Sequence, residues 1–100
     1  MPRFIIEREI EGASTITEQE LAAVALTSNR AVASLGVPYR WIASYVTADK
    51  IYCVHEAEDA EVIIEHSRRC GFPADVVAEI VVEFGPYTAG QQALPVRARR

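Results

Sequence analysis

Residues 39–57, YRWIASYVTADKIYCVHEA, decide the fold. The run follows Pro38, is rich in β-branched and aromatic residues, and is broken once by the polar Ala48-Asp49-Lys50. That pattern predicts two strands joined as a hairpin. On its N-terminal side, Leu21, Val24, Ala25, Ser28, Val32 and Leu35 share one face at helical spacing. Thr17-Glu18-Gln19-Glu20 stands before them as a capping box, and Gly36 stands where a left-handed stop is wanted. On its C-terminal side, DAEVIIEHSRRCG (59–71) reads as a second helix. Its acids sit at the N-terminus, Arg68 and Arg69 near the C-terminus, and Phe72-Pro73 forbids continuation. Outermost, RFIIEREI (3–10) and VVAEIVVEF (76–84) read as the first and last strands.

The order is therefore β-α-β-β-α-β over residues 1–84, with an aperiodic tail over 85–100 marked by Gly85, Pro86, Gly90 and Pro95. This is the split βαβ arrangement: an α+β, ferredoxin-like fold with a four-stranded antiparallel sheet. Right-handed crossovers predict strands one and three in the centre and strands two and four at the edges. The name describes topology only, because no C-x₂-C-x₂-C iron–sulfur motif is present.

Composition narrows the function classes. Half of the 100 residues are hydrophobic and 24% are charged, an ordinary globular balance. No apolar run approaches the roughly 20 residues of a membrane span, and no basic segment leads into a long apolar one. A cytoplasmic location is expected. The net charge of -4 hides a body of -7 through residue 84 and a tail of +3 from Arg97, Arg99 and Arg100. An acidic body repels a phosphate backbone, so nucleic acid is not the expected partner. Cys53 and Cys70 are too few for a disulfide framework and read as reduced thiols.

Strand alternation assigns faces. It separates Phe4 and Ile6 from Ile5, Glu7 and Glu9, and Ile51, Cys53 and His55 from Tyr52, Val54 and Glu56. In the last strand it separates Ala78, Ile80, Val82 and Phe84 from Val77, Glu79, Val81 and Glu83. Giving the apolar sets to the helix side leaves Ile5, Val54, Val77, Val81, Tyr52, Trp41 and Tyr45 on the other face, mixed with Glu7, Glu56 and Glu79. So much apolar surface is not expected to stay wet. Closing it with a second copy predicts a homodimer, a dimeric α+β barrel whose inter-sheet cavity is lined by Trp41, Tyr45 and Tyr52 and by Glu7 and Glu79.

The reactive inventory is small. No Ser/His/Asp set, phosphate loop, H-E-x-x-H or paired C-x-x-C occurs, and nothing completes a nucleophile, base and orienting group. No catalytic residue is assigned. His66 and Cys70 lie four apart on the second helix, and Cys53 and His55 two apart on the third strand, so each pair shares a face. Imidazole and thiolate suit nickel or zinc, while buried structural thiols with histidines at the rim explain the same spacing.

The segments FIIEREI, RWIASYV, KIYCVHEAED and EHSRRCGFPAD together resemble a family of small bacterial proteins long described as a domain of unknown function. Its characterised member is a nickel-binding ferredoxin-like dimer. The resemblance spans residues 3–84 and rests on W-x-x-S-Y, Y-C-V-x-E-A and E-H-x-R-x-x-G-x-P-A-D. It implies nickel sites and a role in nickel sequestration or tolerance. Among motif positions with ligand chemistry, it points to Cys53, Glu56 and His66 as metal ligands. His55 and Cys70 depart from the family pattern, which would have tyrosine and alanine there. Glu56 lies opposite Cys53 in the face assignment, so one ion bound by all three is not expected.

Three functions follow as expectations. The first is a non-catalytic divalent-metal protein, with nickel as the cofactor by resemblance. The second is a small-molecule binder or enzyme using the inter-sheet cavity, with Glu7, Glu56 or Glu79 as base or cation partner. The third is a ligand-free interaction module.

Overall fold

The computed structural model describes residues 1–90. Alternating apolar residues build β1 (Arg3–Glu9), and a single 3-10 turn (Ala13–Thr15) leads to helix α1 (Glu18–Leu35). The predicted capping box is formed in full: the Thr17 hydroxyl accepts from the Glu20 amide and the Glu20 carboxylate accepts from the Thr17 amide. Strands β2 (Tyr39–Val46) and β3 (Lys50–Ala57) are the hairpin, followed by α2 (Ala60–Cys70) capped by the Asp59 carboxylate. Both helices end on glycines at positive φ, Gly36 at 69° and Gly71 at 77°, where a side chain would be strained. The last strand is β4 (Val76–Ile80). One further helical turn, α3 (Pro86–Ala89), falls inside the stretch predicted as aperiodic, and residues 91–100 of that tail lie outside the described residues.

The sheet order is β2-β3-β1-β4, all antiparallel, with β1 and β3 central as the crossover rule requires. The helices cover one side. Phe4, Ile6, Ile51, Cys53 and Ala57 from the sheet meet Ile63 of α2 in the core, and Ile6, Ala57 and Ile63 are wholly buried. Among the described residues no helix is long and apolar enough to cross a membrane.

Two face assignments made from alternation are corrected by the pairing. Phe4 lies opposite Glu79 and Ile6 opposite Val77, so Val77 and Glu79 belong to the helix side, and Ala78 and Ile80 to the open side. Strand four is inverted relative to the expectation because a one-residue change of register exchanges every face. β4 stops at Ile80, four residues early, opposite Arg3, the first residue of β1, so no strand remains for Val81 to pair with. Val81, Val82 and Phe84 accordingly project into solvent, 89%, 74% and 78% exposed.

The second correction is in β2, where a bulge between Trp41 and Ala43 inserts Ile42. Trp41 pairs with His55 and Ser44 with Cys53 on the helix side, while Tyr45 pairs with Tyr52 on the open side. Trp41 and Tyr45, placed together by simple alternation, are thus on opposite faces.

Candidate functional site

Arg8 continues the inward phase of Phe4 and Ile6, which brings a guanidinium into the interior with only 2% of its surface exposed. It is held by neutral oxygens and a sulfur. Nη1 donates to the Ser67 hydroxyl at 2.9 Å and to the Pro73 carbonyl at 2.7 Å, and Nε donates to Cys53 Sγ at 3.4 Å. Its plane stands near the Phe72 ring, 5.9 Å from the ring centre. Among the described residues no ion pair involves Arg8.

Two buried histidines lie beside it. His55, on β3, is 1% exposed, and its Nδ1 meets the Tyr39 hydroxyl. Burial lowers its pKa to about 3, with His66 and Arg8 adding electrostatic pressure in the same direction. Burial also raises the Tyr39 phenol, so its hydroxyl stays protonated and is the donor of that bond. His66, on α2, is likewise 1% exposed and stacks on Tyr39 with ring centres 5.0 Å apart. Burial lowers its pKa, opposed by a hydrogen bond to the Ser28 carbonyl and reinforced by Arg8. Both imidazoles are neutral at physiological pH.

His66 Nε2 is the meeting point of the two helices. It lies 3.1 Å from the Ser28 hydroxyl of α1, 3.4 Å from the Ser28 carbonyl, and 3.5 Å from Cys70 Sγ one turn along α2. Its Nδ1 is buried with no hydrogen-bond partner. Cys70 is partly exposed, and burial raises its thiol pKa. Cys53 is buried and receives the Ser44 hydroxyl at 3.0 Å as well as Arg8. Between these groups and α1 runs a cavity of about 230 Å³, lined by Arg8, Trp41, His55 and His66 and closed by aliphatic side chains.

Of the predicted ligands, Cys53 and His66 line this cavity and Glu56 does not. Glu56 is on the open face, where Arg3 at 2.8 Å and Arg40 at 3.2 Å hold its carboxylate below the usual range. Glu7 is on that face too, paired with Lys50 at 3.2 Å, beside Tyr52 and Tyr45. Trp41 and Glu79 are not there: Trp41 lies over His55 inside, and Glu79 stands on the helix side at the sheet edge, exposed. The open face therefore keeps Glu7, Tyr45 and Tyr52 of the residues predicted to line an inter-sheet cavity.

Donor chemistry tests how well a metal fits. Among the described residues no group of three His, Cys, Asp or Glu side chains converges on one point. Cys53, Glu56 and His66 cannot share an ion, since Glu56 is across the sheet, and Arg8 at Cys53 Sγ repels a dication there. The His66 Nε2 to Cys70 Sγ separation of 3.5 Å does fit. Metal–nitrogen and metal–sulfur bonds of about 2.1 and 2.3 Å at a tetrahedral angle span about 3.6 Å. Arg8 and Ser28 were not singled out as site groups from the sequence, whereas His55 was, as the same-face partner of Cys53. Arg8 was legible as the one charge in phase with Phe4 and Ile6.

The model of a family described as nickel responsive protein, SCO4226-like, matches residues 4–80. Among solved structures, SCO4226 from Streptomyces coelicolor A3(2) superposes with a TM-score of 0.70 at 19% identity, covering 82% of this chain and 99% of that one. That likeness is one of fold. No curated protein matches the chain.

Proposed function

This chain belongs to the SCO4226-like family of nickel responsive proteins, and from that premise we propose that it is a non-catalytic, nickel-binding homodimer serving metal sequestration or tolerance. The observation that carries the metal reading is the pair His66 Nε2 and Cys70 Sγ, 3.5 Å apart where the two helices meet. Burial disfavours the charged imidazolium, and Nε2 takes an ion by giving up its hydrogen bond to the Ser28 carbonyl, with the ring proton then on Nδ1. Cys70 is partly exposed, which leaves room for water or a further donor to complete the coordination. Imidazole and thiolate together suit a borderline divalent ion. Cys53, tied to Arg8 and Ser44, serves as a packing and hydrogen-bonding group.

The open face supports the dimer. Ile5, Tyr45 and Val76 are exposed there, and Val81, Val82 and Phe84 project beyond the end of β4. Arg3, Glu56 and Arg40 form a charged rim. A second copy laid face to face buries this surface with the two-fold symmetry most common among oligomers. Light scattering coupled to gel filtration is expected to give a dimer at micromolar concentration; a monomer removes this part of the reading.

Calorimetric titration of tag-free protein with nickel chloride tests the metal. We expect saturable binding with release of about one proton per ion from Cys70, and a sulfur-to-nickel absorption band absent in Cys70→Ser. Cys70→Ser and His66→Gln should each lose at least about 10- to 100-fold in affinity, the range seen for groups one step removed from a metal. Unchanged affinity in both variants rejects these ligands.

A further inference from the structure

The cavity under α1 has a chemistry that a metal does not use. Arg8 carries five N–H donors, of which Nε and Nη1 account for three in the bonds to Cys53, Ser67 and Pro73. Among the described residues nothing accepts from Nη2, and no carboxylate pairs with the charge. A buried cation held only by uncharged oxygens and a sulfur is an expensive arrangement for stability alone. His55 supplies a second donor. Its Nδ1 accepts from the Tyr39 hydroxyl, so the proton of the neutral ring sits on Nε2. Both Arg8 and His55 line the cavity, and its remaining wall is almost wholly apolar, including Trp41, Leu21, Val24 and Phe72.

Size and access agree. A dry apolar cavity of about 150 Å³ takes up benzene, so about 230 Å³ holds one ring, or a branched chain of similar bulk, together with a carboxyl group. Leu21 and Val24 are only partly buried and Val46 is exposed, which puts the mouth between the first half of α1 and the end of β2. Taken over its length α1 packs against α2 more closely than against the sheet, through Ser28 to His66 and Ser34 to Arg69 in its middle and second half.

We propose that this cavity binds a small apolar monocarboxylate, its hydrocarbon part against Trp41 and Val24 and its carboxylate on Arg8 and the Nε2–H of His55. The single cation and the apolar wall select against dianions and phosphates. His66 lines this cavity as well as standing in the proposed metal pair, so the test is run with chelator present to let the two readings stand or fall separately.

Trp41 is the only tryptophan of the chain and reports occupancy by fluorescence. Benzoate and isovalerate are expected to change its emission saturably, with benzamide, the neutral counterpart of benzoate, weaker by about 10- to 100-fold for want of the charge-assisted bonds. Val24→Phe fills the cavity from the helix side without touching Arg8, and should weaken benzoate at least about tenfold while unfolding remains cooperative. Equal affinity for benzoate and benzamide, an unchanged benzoate affinity in Val24→Phe, or no saturable response to either acid overturns the proposal.

Discussion

Between pH 7 and pH 5 the unfolding free energy of this protein is expected to fall by about 2 kcal/mol on account of His55 alone. In the folded chain burial lowers the pKa of His55 to about 3, whereas in the unfolded chain it returns to the ordinary 6.5. Below pH 6.5 the unfolded state therefore takes up a proton that the folded state refuses. Stability is fully present above pH 6.5 and drains at about 1.4 kcal/mol per pH unit until the folded pKa is reached. His66 is shifted downward by the same cause and adds loss of the same sign. The carboxylates held low by arginine, Glu56 and Glu65, begin to contribute only below about pH 4.5. They are surface groups of small weight, so the histidine window is clean. Urea unfolding at pH 7, 6 and 5, followed by circular dichroism, measures the slope directly. A stability that is flat across this range would mean that the buried imidazoles take up protons in the folded chain as readily as in the unfolded one.

This acid sensitivity bears on the proposed metal site, because His66 gives its lone pair to an ion only while neutral. Burial extends that condition to lower pH than an exposed histidine would allow. The same burial leaves Nδ1 of His66 without a partner, a standing cost that the fold carries in the interior. Neutral histidines beside Arg8 also keep the number of buried positive charges at one, which a single bound carboxylate would neutralise.

The order of elements was legible because each boundary carries its own local chemistry: the box at Thr17, the αL glycines Gly36 and Gly71, the break at Asp49. The faces of β1 and β3 were legible for a related reason, since in both strands every inward position is apolar or buried. Strand four was not. Glu79, with Glu83 beyond the last pair, set its phase aside as the polar one, and Val82 and Phe84, also beyond the last pair, made the other phase look apolar; at the sheet edge Glu79 stands on the helix side and is still exposed. Trp41 was lost to a bulge, which alternation by itself cannot reveal. The convergence of His55 with Cys53, and of His66 with Cys70, followed from i+2 and i+4 spacing. That Cys53 bonds Arg8 and Ser44 rather than His66 depends on how α2 is rolled against the sheet, a property of packing and not of either pattern.

Replacing Ile63 by alanine is expected to cost about 2 to 5 kcal/mol, and replacing its neighbour Ile64 by alanine less than about 0.5 kcal/mol. The two residues have the same composition and nearly the same helix position, so intrinsic propensity cancels between them. They differ in burial: Ile63 is wholly enclosed beneath α2, while Ile64 is 52% exposed. Removing the enclosed side chain leaves a void that the close-packed core, with Ile6, Phe4 and Ala57 around it, cannot collapse to fill. Ile63 also lies one turn before His66 on the same face of α2, so the void loosens the seat of the imidazole as well. Denaturant unfolding gives the stability difference. Nickel titration of the folded fraction shows whether the His66–Cys70 pair is held by α2 packing: a weaker ion in Ile63→Ala but not in Ile64→Ala is the expected pattern. Equal destabilisation by both changes would mean that α2 is rolled differently on the sheet, and the burial of His66 on which the metal reading depends would lose its support.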